Sequence, residues 1–496
     1  MQLQFHKNAV SCLQKIRGDV QYQEQSQELR LPEDMADIGS ILGAWGQVLI
    51  RGKEWRNGSM TVSGGVMAWT MYLPEEGGDP QTAEAWIPFQ MKWELPDTQY
   101  DGVIRVCPLL KSVDARVTSA RKLMIRACVG VLTEATVPTE AEIFTPGEIP
   151  NGVHLLERTY PMLLPKEAGE KAFELDEDLE LPSSAPKIAK LLRFSLQPEL
   201  IDQKVMSSKV VFRGVCLAGV FYTGEDGQLH SWSFEVPFSQ YSELESDYEQ
   251  DATAAVWMAV TALEMDMLPE GGLRLKAGLT GQYMISDREQ IRVVEDAYST
   301  AHKLSFEVQQ LQLPAILDVQ SQLIHAEGNG IDPQLHPVDI AFYPDQPYMS
   351  RTDDDVTGEL SGYYQILGYD AEGKPAAAVS KWNGKITHSA CESCSVTMHL
   401  QPSGAAQLLG AGNQPGADVL ICAVTQGTDT IPMISALDLE ERQPDPQRPS
   451  LILRRAGQES LWQLAKESGS TEQAIREANR IQQEPEPGQM LLIPVV

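Results

Sequence analysis

The chain has 496 residues, with 39 Lys and Arg against 69 Asp and Glu, and a formal net charge of −30 at pH 7. That balance argues against a general nucleic-acid binder, because phosphate contact depends on positive charge. It describes a self-repelling, solubilising surface whose partners are expected to be neutral or basic. At roughly 100–200 residues per domain the length predicts about three or four domains, and a hydrophobic content of 42% supplies several cores.

The opening stretch MQLQFHKNAVSCLQKIRGDV holds no apolar core of signal-peptide length. No stretch approaches the ~20 apolar residues of a membrane helix, so the expectation is a cytoplasmic chain without membrane insertion. Seven cysteines, at 12, 107, 128, 216, 391, 394 and 422, are odd in number and scattered. That is not a disulfide framework. Most lie in apolar runs, where cysteine acts as a small buried hydrophobe.

Residues 1–30 are polar and weakly patterned, and predict a first strand over Val20–Glu28. Strand-like runs follow at Gln47–Arg51, Ser59–Tyr72, Glu84–Phe89, Val103–Leu110 and Lys122–Val131. Turn chemistry separates them at Asn57-Gly58 and at Glu76–Pro80. The same order then recurs. Pro32/Pro182, Gly64/Gly214, Tyr72/Tyr222 and Asp114/Glu264 are 150 apart, and Phe89/Phe238 are 149 apart. A near-constant offset over most of a module requires two homologous domains, so 31–130 and 181–280 are expected to share one strand order. Many short strands at this spacing indicate an antiparallel sandwich or open barrel. Alternation points Val62, Val66, Val211 and Val215 into the cores beside Phe89 and Phe238, with Tyr72 and Tyr222 as structural aromatics. Asp34–Leu42 and Ala185–Leu192 are read as short helices. The acidic run Glu174–Glu180 lacks the glycine and spacing of an EF-hand, and reads as a solvated strand or linker.

Between 301 and 440 the run Glu359–Gly362, followed by Tyr369, resembles the Gly-to-Tyr hairpin with a spacing of seven instead of eight, and Asp418–Thr425 falls near the place of a last strand. This is a third, diverged copy, with Asn329–Asp355 as an inserted surface loop. Gln443–Pro449 carries three prolines in seven residues and reads as an extended linker. Beyond it come a strand at Leu451–Arg454, a capping box at Ser460/Gln463, a first helix ending at Gly469, a second capped by Ser470 and ending at Asn479, and a last strand at Met490–Pro494. The fold expected is mainly β: tandem antiparallel sandwich or barrel-like modules at 1–145, 146–300 and 301–440, a linker at 441–449, and a small βααβ domain at 450–496.

Leu461-Trp462, Leu464-Ala465-Lys466, Asn479 and the ending Pro487-Gly488-Gln489…Leu492-Ile493-Pro494 resemble the LysM domain over essentially all of 450–496. The family's Gly-Asp-Thr-Leu before the first helix is here Gln458-Glu459-Ser460-Leu461. The Leu-Pro starts at 31–32 and 181–182, the Gly-to-Tyr hairpins and Pro237-Phe238-Ser239-Gln240 resemble the SPOCS domain of spore-coat morphogenetic proteins. The first copy departs from the latter at Gln90-Met91. Together these resemblances imply a mother-cell scaffold at the forespore surface, without enzymatic activity or cofactor. Its partners would be the spore coat's basement-layer ATPase or other coat proteins. The LysM resemblance implies binding of N-acetylated glycans such as peptidoglycan through a groove between Gln458–Leu461 and Asn479–Gln482. Gln458, Glu459, Ser460, Leu461, Trp462, Asn479, Ile481 and Gln482 would form that groove, for glycan or for protein.

His388, Cys391, Cys394 and His399 are four possible zinc ligands packed into twelve residues. With no second Cys-x-x-Cys, two turn cysteines and two surface histidines are the preferred reading, and no metal is assigned. No nucleophile-elbow, zinc-protease, phosphate-loop or dinucleotide motif occurs.

Overall fold

The computed structural model describes residues 2–56, 58–96, 102–269, 271–409, 413–442 and 447–496. Asn57 of the expected first turn and residues 443–446 of the expected linker lie outside them. A short strand β1 (Gln2–Leu3) precedes β2 (Phe5–Arg30), β3 (Ile38–Arg56), β4 (Ser59–Pro74), β5 (Gln81–Glu94), β6 (Val103–Ser119) and β7 (Lys122–Pro146). These six make two antiparallel sheets, ordered β2-β7-β6 and β3-β4-β5. The next six are β8 (Val153–Leu179), β9 (Ile188–Met206), β10 (Lys209–Gly224), β11 (Leu229–Glu243), β12 (Thr253–Met267) and β13 (Leu273–Ser299). They repeat that order as β8-β13-β12 and β9-β10-β11.

A third set follows: β14 (His302–Glu327), β15 (His336–Pro344), β16 (Tyr348–Thr352), β17 (Asp355–Tyr369), β18 (Pro375–Ser389), β19 (Ser395–Leu409) and β20 (Gln414–Glu441). β20 pairs β14 on one side and β19 and β1 on the other, while β17 lies between β18 and the successive strands β15 and β16. It is the same arrangement with the second strand broken in two. The C-terminal unit is β21 (Leu451–Arg455), α1 (Leu461–Ser468), α2 (Glu472–Asn479) and β22 (Met490–Pro494), with β21 antiparallel to β22.

The spacing that betrays the repeat has a steric cause. Gly64, Gly214 and Gly362 sit in the middle strand of their sheets opposite Phe89, Phe238 and Trp382. A β-carbon on any of them would meet a carbonyl oxygen of the neighbouring strand, from Leu49, Glu199 or Tyr343. Only glycine admits that approach. The tyrosines pin the turn that enters the same sheet: Tyr72 Oη donates to Ala36 O at 3.0 Å and Tyr222 Oη to Pro186 O at 3.1 Å. In the third set Tyr369 departs, its hydroxyl accepting from Leu229 N of the second set at 2.6 Å.

The first and last strands of each set run on beyond their sandwich as a two-stranded ribbon. The three ribbons meet along their apolar faces, through Val10 and Phe144, Leu164 and Ile291, and Leu313 and Ile431. Each ribbon alternates one buried and one solvated face with period two, and a lone ribbon would leave its apolar face wet.

Several expectations are corrected. Asp34–Leu42 and Ala185–Leu192 are not helical: each begins with a tight turn (Met35 N to Pro32 O, 3.2 Å; Ala185 N to Pro182 O, 2.8 Å) and passes into β3 or β9. In the first copy Ile38 N, the first donor such a helix would use internally, bonds the carbonyl of Ala120 instead. The strand expected at Val20–Glu28 is part of β2, which is 26 residues long because its outer half belongs to the ribbon. Asn329–Asp355 is not one loop but holds β15, whose two prolines hide the strand pattern, and the five-residue β16. Val62 and Val66 are buried, but in the second set Val210, Phe212 and Cys216 face the core while Val211 and Val215 are only half-buried. Neighbours along a strand point to opposite faces, so a one-residue misreading inverts the face. Ser470 does not cap α2. Its N–H closes α1 on Ala465 O, with Gly469 left-handed at φ 65°, and Thr471 is the cap, accepting from Ala474 N.

Candidate functional site

The βααβ unit folds around Leu461, Leu464, Ala465, Ile475, Leu491 and Ile493. α1 starts on the expected capping box, with Ser460 Oγ accepting from Gln463 N and Gln463 Oε1 accepting from Ser460 N. Asn479 at the end of α2 spends its whole amide on the fold. Its Nδ2 donates to Ile475 O (2.8 Å) and Leu492 O (2.6 Å), and its Oδ1 accepts from Leu492 N (2.7 Å). Asn479 therefore ties α2 to β22.

The loop before α1 and the segment after α2 do come together, through a residue the sequence reading passed over. Glu484 Oε2 accepts from Leu461 N at 2.7 Å, and Glu484 Oε1 faces Arg476 Nη2 at 3.4 Å. Arg476 also donates to Gln482 O at 2.9 Å, while Gln458 and the Gln482 side chain are exposed and Ile481 packs on the core. Glu459 is held below the ordinary carboxylate range by backbone N–H groups of Glu459 and Gly457 and then by Arg454. Carboxylates thus hold both the amide and the charge of the groove entrance. The signal for Glu484 was the Glu484-Pro485-Glu486-Pro487 run, whose prolines fix the backbone that carries it.

Trp462 points the other way. Its indole is 9% exposed and meets the Tyr298 ring edge-on at 4.7 Å, while Nε1 donates to Asp296 Oδ2 at 2.8 Å. Lys466 Nζ donates to Asp296 Oδ1 at 2.6 Å and lies 5.6 Å from the Phe306 ring. The C-terminal unit is thus docked on β13 and β14, and of the eight predicted groove residues Trp462 is committed to that contact. Asp296→Ala should weaken the docking by about 1–2 kcal/mol, the scale of two hydrogen bonds, one of them charged and partly exposed. Hydrogen exchange should then quicken together in 461–468 and 296–299; unchanged exchange in both would refute the docking.

The zinc candidates are dispersed. Cys391 and Cys394 are disulfide-bonded to each other. Both histidines are buried rather than on the surface, His388 against Thr425 Oγ1 at 2.7 Å and His399 against Arg105, Cys107 and Glu134. Among the described residues no three His, Cys, Asp or Glu side chains converge on a metal site.

A cavity of about 1180 Å³ opens between the three sets, where β9, β12, β15 and β19 present sheet edges; Gln197, Trp232, Trp257 and Gln401 are among its lining. Backbone edges such as these suit an extended peptide strand, and Arg193, Asp202 and Asp339 add charge to the lining.

The fold and these surfaces define a mainly β, multi-module binding protein with a small α+β terminal domain. The family described as SipL, SPOCS domain, matches residues 187–268, and the LysM domain family matches residues 458–494. The chain therefore joins a domain of a sporulation family to a domain of a family associated with peptidoglycan binding, both families being of the binding or scaffold type. A search of curated proteins found no significant match. No helix among the described residues is long and apolar enough to cross a membrane.

Proposed function

We propose that this chain is a non-enzymatic scaffold of spore-envelope assembly, built of three β modules at 1–145, 146–300 and 301–440 and a LysM domain at 450–496. It works on the mother-cell side of the forespore surface. It binds coat morphogenetic proteins, the basement-layer ATPase or others, through the β modules and the LysM groove. The observation that carries this reading is the carboxylate in the groove. Glu484 already accepts the Leu461 amide that an N-acetyl carbonyl would need, and a neutral sugar would have to displace and desolvate it. A protein partner with a basic side chain gains from that carboxylate instead.

The LysM match favours a second reading, in which the domain binds N-acetylglucosamine glycan of peptidoglycan. Calorimetric titration of the full chain with chitin oligomers separates the two, beside capture of coat proteins by the same chain. Binding weaker than micromolar, with capture lost on Glu484→Ala, is expected. Micromolar or tighter glycan binding would promote the wall-binding reading.

A further inference from the structure

The Cys391–Cys394 turn, which joins β18 to β19, is absorbed by neither the zinc reading nor the scaffold reading. We propose that it is a thiol–disulfide exchange site, at which Cys391 receives an incoming thiolate from solvent. The proposal goes beyond the function proposed above and does not depend on it.

Three observations carry it. The two sulfurs are unequal: Cys391 is exposed and Cys394 is 6% exposed, so attack from solvent reaches one sulfur only. The turn is held by hydrogen bonds besides the sulfur bridge. Cys394 N donates to Cys391 O at 3.0 Å, and the Arg351 guanidinium on β16 donates to Ala390 O at 3.4 Å, to Cys391 O at 2.9 Å and to Cys394 O. Arg351 also sets a fixed positive charge on the turn, the polarity that favours a departing thiolate. Finally, the remaining cysteines are withdrawn. Cys12, Cys107, Cys128, Cys216 and Cys422 are buried or half-buried, and burial pushes the Cys107 thiol up to about 11 and that of Cys216 to about 12. Exchange is thereby confined to one turn.

The step balances without an outside oxidant. An incoming thiolate attacks Cys391 Sγ, forming a mixed disulfide. The Cys391–Cys394 bond breaks, and its electron pair leaves on Cys394 Sγ, which then takes a proton. Return attack by Cys394 expels the incoming thiol and restores the bridge, the resolving role that a second cysteine plays in such exchange. The thiol comes from a small molecule or from an exposed cysteine of a protein.

The test uses the full chain under native conditions. Oxidised protein is offered reduced glutathione in one arm and a cysteine-bearing peptide in the other, with intact-mass and peptide mapping. The bridge should open in either arm while the other five cysteines stay unlabelled; reaction with the peptide identifies a protein thiol, and reaction with glutathione alone a small one. Cys394→Ser offered oxidised glutathione should take one adduct, at Cys391, on the order of tenfold faster than Cys391→Ser takes one at Cys394. A bridge that neither thiol opens until the protein unfolds, or equal rates in the two variants, would overturn the proposal. Should either variant fail to fold, the wild-type arms still decide.

Discussion

Phe238→Ala should destabilise the second β module by about 3–5 kcal/mol, the cost of deleting a buried phenyl ring and leaving its cavity. The ring is 5% exposed, lies opposite Gly214 and packs 5.5 Å from the Phe173 ring. It cannot be replaced by a shift of β10, because Gly214 is already pressed on the Glu199 carbonyl. A chain of several modules does not unfold in one step, so the readout is hydrogen exchange followed peptide by peptide. Exchange should quicken across β9–β13 and change little in β2–β7. Tyr241 on the same strand is 52% exposed, and Tyr241→Ala should stay within about 0.5 kcal/mol. Unchanged exchange in Phe238→Ala would place that ring outside the core.

The features that could be read from the chain are those fixed by sterics at single residues. Gly64, Gly214, Tyr72 and Tyr222 each answer to a contact that admits one residue type, so their spacing survives while the surrounding sequence drifts. The capping box at Ser460 was legible for the same reason. Features that depend on which elements meet were not. The outer half of β2 looks like polar, weakly patterned chain because it buries only one face, against ribbons distant in sequence. Likewise nothing near Trp462 announces Asp296 and Tyr298, from which it is separated by more than 160 residues. In the C-terminal unit, the loop before α1 and the segment after α2 meet through Glu484. The residue that occupies them, Glu484, was missed because a carboxylate in a Pro-rich turn reads as solvated surface until its partner is known.

Arg105→Ala should cost about 3–5 kcal/mol as well, by stranding a buried carboxylate, but its effect should spread through all three sets of strands. Arg105 on β6 forms an ion pair with Glu134 on β7, which is 4% exposed. The guanidinium lies 3.4 Å from the centre of the Trp257 ring on β12, and its Nη2 stands 3.5 Å from His399 Nε2 on β19. Without it, Glu134 keeps only Lys15 at 3.5 Å and the His399 ring at 3.6 Å. Exchange should quicken in β6, β12 and β19 together; quickening confined to β6 would show that the junction does not depend on this side chain. The same cluster makes stability depend on pH. Burial, then Arg105 and Lys15, push His399 well below its ordinary 6.5, and Glu134, already paired, does not offset them. The folded chain therefore keeps His399 neutral while the unfolded chain takes up a proton near the ordinary value. Its contribution is present above about pH 6.5 and is lost as the pH falls below it, because there the unfolded state binds more protons. His399→Gln should flatten the difference in melting temperature between about pH 7 and pH 5 relative to wild type, and an equal slope in the two proteins would assign the acid sensitivity to other groups.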